Sequence, residues 1–145
     1  MTMKQVQVVQ QLFATAARGD IDGIAACLHP DFSIDQAHGT PYAGTHRGLD
    51  GFLQMFETLM SHFAIAQRDL VFHDTGEAEV GVIVTFNVDF TSRATGAQAT
   101  SSNVELYRFT DGRIRHIDVY YKDAAAVAAL AAVSAPDFAM TSSAR

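Results

Sequence analysis

The chain is short of three things, and each shortage excludes a class of protein. One cysteine, Cys27, stands among 145 residues, which rules out a disulfide framework and a cysteine-ligated zinc site; a lone thiol fits a reducing compartment. Basic side chains number 10 against 16 acidic ones, for a net charge of −6. A nucleic-acid binder would need Lys and Arg clustered against phosphate, so no nucleic-acid partner is expected. No apolar run approaches the length that spans a bilayer, and Met1 to Val6 lacks the apolar stretch of a signal peptide. A cytoplasmic protein without membrane contact is the expectation.

Catalytic signatures are equally sparse. Six histidines, at 29, 38, 46, 62, 73 and 116, show neither HxH nor HExxH spacing, so no metal is expected. No nucleophile elbow, phosphate loop or dinucleotide fingerprint is present. Cys27 falls on the buried side of a short helical pattern and reads as inert packing. His46-Arg47 reads as the approach to a helix.

What is present is pattern. Hydrophobic residues make up 48% and charged residues 18%, ordinary for one globular domain, and a chain of this length buries about two-thirds of its unfolded surface. Val6, Val9, Phe13, Ala16 and Ala17 predict a first helix that ends at Arg18-Gly19. Asp20 caps a second, short one, stopped at His29-Pro30. Asp31 to Gln36 reads as a strand, followed by a turn-rich loop, Ala37 to Gly44. Asp50 is positioned to cap a third helix, whose stripe holds Leu49, Phe52, Leu53, Phe56, Leu59, Met60 and Phe63. The period then changes to two: Ala78–Thr91 is a long strand, and Ala99–Thr110 and Arg113–Lys122 form a hairpin about Asp111-Gly112. Helices followed by antiparallel strands make an α+β domain, with N-terminal helices on one face of a bent sheet. Residues 1–133 are expected to form this single domain. Asp123–Val133 is a helix covering a sheet edge or a partner, with a lid as the alternative, and 134–145 a loosely held tail. Apolar residues on both strand faces (Ile83, Val104 and Leu106 on the second) imply self-association.

Four stretches resemble the SnoaL-like branch of the NTF2-like superfamily, whose relatives include ketosteroid isomerase, polyketide cyclases and limonene-epoxide hydrolase. They are Gly19-Asp20-Ile21-Asp22-Gly23-Ile24, Leu28-His29-Pro30-Asp31-Phe32, Gly44-Thr45-His46-Arg47-Gly48 and Tyr107 through Ile114. Their order and spacing carry the resemblance over roughly Gln5 to Asp123; no single stretch does. The resemblance implies a cone, a strongly curved, mainly antiparallel sheet wrapped on helices around an apolar pocket, and a homodimer joined through the outer sheet face.

Glu105 is the first candidate for chemistry. It lies mid-strand between Val104 and Leu106 and shares a face with Asn103 and Tyr107. An apolar setting raises a carboxyl pKa toward neutrality, where it serves as acid or base. In ketosteroid isomerase a protonated acid at the matching position donates to the developing oxyanion, an example already established for that enzyme. The alternative is a structural ion pair with Arg93, Arg108 or Arg115. A partner is sought in Asp35, Gln36 and His38. The isomerase's proton-shuttling aspartate matches Gln36; Asp35 is one residue earlier and, on a regular strand, points the other way. The isomerase's helix-one tyrosine matches Leu12. The epoxide-hydrolase aspartate matches Val119, which leaves His116 and Asp118 on the outer face. Catalytic candidates are therefore Glu105, Asp35 and His38, with Gln36, Asn103, Tyr107, Tyr121 and Phe56 as substrate-binding residues. The resemblance implies cofactor-independent proton transfer (isomerisation, cyclisation or hydration) on a small hydrophobic, carbonyl-bearing ligand; a non-catalytic binding module is the rival.

Overall fold

A computed structural model describes residues 3–132. Helix α1 (Gln5–Arg18) ends at Gly19, whose φ of 67° is the left-handed conformation that closes a helix. The Asp20 carboxylate then accepts from Gly23 N at 3.0 Å and starts α2 (Ile21–Cys27). The two helices approach closely at Gly23, where a Cβ would lie 2.4 Å from Thr15 Cγ2.

Strand β1 (Leu28–Gln36) begins three residues before the expected Asp31. Its pairing is irregular between Leu28 and Ser33. Pro30 falls in that gap, where its missing N–H costs no ladder bond. β2 (Gly44–Arg47) lies in what reads from sequence as a loop and a helix approach, and pairs antiparallel with β1. α3 (Gly48–His62) starts before Asp50, with Arg47 at the cap position and no side-chain cap. Asp50 instead sits in the first turn, where its charge complements the helix dipole.

Phe63, assigned from sequence to the helix stripe, opens β3 (Phe63–Asp74), a strand the sequence pattern does not announce. β4 (Val80–Ser92), β5 (Gln98–Thr110) and β6 (Arg113–Tyr121) follow as expected within two residues. The six strands form one curled, unclosed sheet in the order β2-β1-β6-β5-β4-β3. All pairs are antiparallel except β1 with β6.

Alternation sorts the side chains. Val82, Val84, Phe86, Val88 and Phe90 of β4 are all buried on the inner face, against which α1 and α3 pack. α4 (Ala124–Ala132), close to the expected helix, covers β5 and β4 through buried Val127 and Leu130. The expected tail, 134–145, lies outside the described residues. Among the described residues no helix is long and apolar enough to cross a membrane.

Candidate active site

Between α1, α3 and the inner sheet face lies a cavity of about 370 Å³. Its walls are mostly apolar, with Leu12 and Phe13 from α1, Phe52, Met55 and Phe56 from α3, and Ile117 from β6. Phe52 and Phe56 stack at 6.2 Å with an interplanar angle of 8°. Among the described residues that line it, two titrate, Glu105 and Tyr107.

Glu105 stands in register between Val84 of β4 and Val119 of β6. These neighbours strip water from the carboxyl, and burial pushes its pKa up to about 7. The Tyr107 hydroxyl donates to Glu105 Oε1 at 2.5 Å and, by favouring the ionised form, partly opposes that rise. Burial, followed by the Glu105 charge, raises the Tyr107 phenol well above its ordinary range. The arginines weighed as ion-pair partners are occupied elsewhere. Arg93 donates to Met60 O at 2.5 Å, Arg115 to Asp31 O at 3.3 Å, and Arg108 faces Glu79 and Asp118, each at 3.8 Å.

Strand parity separates the other candidates. Gln36 is 7% exposed, lines the cavity, and donates from Nε2 to Met55 Sδ at 3.4 Å. Asp35 points to the outer face, where it accepts from the Thr45 hydroxyl and lies 3.5 Å from His116 Nε2. His38 is exposed just beyond β1 and borders a different cleft, shared with Asp35. Neither Asp35 nor His38 borders the cavity that holds Glu105. Phe56 and Tyr107 do.

Asn103 shares the inner face with Glu105 and is buried but does not line the cavity, its Oδ1 accepting from Ser101 Oγ at 2.9 Å. Tyr121 is likewise set aside from the cavity. Its hydroxyl lies 2.7 Å from that of Tyr42 and its ring tilts against Phe90. Burial raises the Tyr42 phenol to about 12. Sequence pattern does not single out Tyr42; its one signal is a large phenol ring in a turn-rich loop of mostly small residues. Ile65 and Gln67, which complete the cavity wall, were missed along with β3. Among the described residues the cavity holds a single carboxylate, too few donors for a protein-held metal.

A family model described as the SnoaL-like domain matches residues 9–117. The chain belongs to the SnoaL-like family. Among solved structures, the SnoaL-like chain is similar to an NTF2-like protein from Burkholderia xenovorans LB400, at 23% identity and TM-score 0.80 over 90% of this chain and 98% of that one. It is also similar to a candidate polyketide cyclase from Xanthomonas campestris pv. campestris, at 19% identity and TM-score 0.73 over 87% and 96%. A third, TerC crystallised with polyporic acid, shares 20% identity at TM-score 0.65 over 83% and 93%. No curated protein sequence matches the chain. These likenesses carry the SnoaL-like, NTF2-type fold, and they bear out the resemblance read from the four short stretches.

Proposed function

We propose that this SnoaL-like protein carries out cofactor-independent proton transfer on a small hydrophobic ligand bearing a carbonyl group. One observation carries the reading: a carboxyl group with pKa about 7, Glu105, opens into an apolar cavity and is held by Tyr107. Near neutrality such a group is populated in both states, which suits a proton-transfer catalyst. Ionised, Glu105 takes a proton from the carbon beside the carbonyl. Protonated, it returns that proton or donates to the oxyanion. The Gln36 amide, which the resemblance matches to the isomerase base but which cannot itself serve as a base, orients the carbonyl oxygen. The structural neighbour named as a polyketide cyclase and the one crystallised with polyporic acid support a carbonyl-bearing ligand class.

The test is solvent deuterium uptake into a panel of enolisable ketones, followed by mass spectrometry, with epoxides run in parallel for hydration. Glu105→Gln is expected to slow uptake by about 10²–10⁴-fold. Equal rates in the two proteins would remove Glu105 from the mechanism. The rival, a non-catalytic binding module, is favoured by the single carboxylate in the cavity, and a native protein that binds the ketones without exchanging them would establish it.

We further propose a homodimer through the outer sheet face. There Val104 and Tyr120 are cross-strand neighbours at 37% and 56% exposure, an apolar pair that a second copy would cover. Light scattering reads the mass, and Tyr120→Glu is expected to shift it to that of one chain.

A further inference from the structure

The outer face of the sheet carries a second cluster, which the proton-transfer reading does not use. In the parallel pair β1–β6, Ser33 lies opposite His116 and Asp35 opposite Asp118, so all four side chains rise from the same side. His116 Nε2 is 3.0 Å from Asp118 Oδ1 and 3.5 Å from Asp35 Oδ2. Its other nitrogen, Nδ1, is 2.6 Å from Ser33 Oγ. Donor atoms of Asp35, His116 and Asp118 all lie within 4.8 Å of one another.

We propose that Asp35, His116 and Asp118 bind one divalent first-row transition cation of the zinc or manganese class. Two carboxylates directly opposite on neighbouring strands repel unless positive charge sits between them. Arg108 approaches only the far oxygen, Asp118 Oδ2, at 3.8 Å, which leaves Oδ1 turned to the imidazole. When Nδ1–H donates to Ser33, the Nε2 lone pair faces two anionic oxygens, and a cation fills the space they enclose. A ring N–H held by an outer oxygen is the usual support of a metal-bound histidine.

The separations agree with coordination. Ligands at about 2.1 Å from an ion stand about 3.0–3.4 Å apart in octahedral or tetrahedral geometry, against 3.0 and 3.5 Å for the two His116 contacts. The third separation, between the Asp35 and Asp118 oxygens, lies within 4.8 Å, and Asp35 is the most exposed of the three at 49%. One imidazole and two carboxylates suit zinc or manganese and are a poor match for a soft ion such as copper(I). A cleft of about 480 Å³, bordered by Asp35, Asp118 and His38, opens beside the cluster, so the ion's remaining positions face water or a ligand oxygen.

The test strips the full chain with EDTA and titrates it with zinc and with manganese by calorimetry, with elemental analysis after dialysis. One ion per chain is expected. His116→Gln, Asp118→Asn and Asp35→Asn should each weaken binding at least about tenfold, whereas His73→Gln, at an exposed histidine elsewhere, should not. Cobalt should give a visible absorption band in the native protein that His116→Gln abolishes. Substoichiometric binding overturns the proposal and leaves the cluster a set of polar contacts between His116, Asp35 and Asp118. Affinity unchanged in Asp35→Asn, whose half-exposed side chain makes misfolding no excuse, overturns it equally.

Discussion

The Tyr107 hydroxyl donates to Glu105 Oε1 at 2.5 Å inside a mostly apolar cavity. The bond sets two opposed influences on one carboxyl: burial raises its pKa, the phenol lowers it, and burial prevails at about 7.

That balance makes folding stability depend on pH. Glu105 moves from an ordinary 4.5 to about 7 in the folded chain, so between these values the native state holds a proton that the unfolded state has lost. Its contribution is complete below about pH 4.5, falls as pH rises, and is gone above pH 7. The span amounts to at most about 3–4 kcal/mol at about 1.4 kcal/mol per unit. Urea unfolding at pH 5 and pH 8 should show the native protein losing more stability than Glu105→Gln over that interval. Parallel losses in the two proteins would mean that Glu105 ionises normally.

Tyr107→Phe removes the donor and keeps the ring. With nothing left to favour the ionised form, the Glu105 carboxyl should titrate above its native midpoint, by about one unit for a charge-assisted bond of about 1.5 kcal/mol. Carbon-13 NMR of the labelled carboxyl reads the midpoint directly. A downward shift would show that Tyr107 accepts from a protonated Glu105.

The Tyr42–Tyr121 pair, 2.7 Å apart, should behave as a unit. Tyr42→Phe or Tyr121→Phe alone strands a buried hydroxyl, at a cost of about 1–3 kcal/mol. The double variant strands none, and its loss should fall short of the summed single losses by about 1 kcal/mol. Strict additivity in denaturant melts would show that the two hydroxyls do not depend on each other.

Much of the fold is legible along the chain because local chemistry dictates it. Asp20 caps α2 because a short carboxylate reaches the N–H three residues on, and β4 alternates because one face packs on helices while the other meets solvent. β3 is silent for the opposite reason. It is an edge strand, exposed over most of both faces, interrupted between Arg68 and Val71 with Asp69 at φ 59°, so no period of two is imposed on its residues.

The sequence by itself determined the family, the order of the helices and of four of the six strands (β1, β4, β5 and β6), and the candidacy of Glu105, since each rests on neighbours in the chain or on ordered short stretches. Tertiary structure alone decided which side chains meet. Parity on β1 turns Gln36 into the cavity and Asp35 away from it, and the parallel pairing of β1 with β6 sets Asp35 beside His116 and Asp118, some eighty positions along the chain. Such meetings depend on strand register, and register is fixed by the packing of the whole sheet rather than by any one segment.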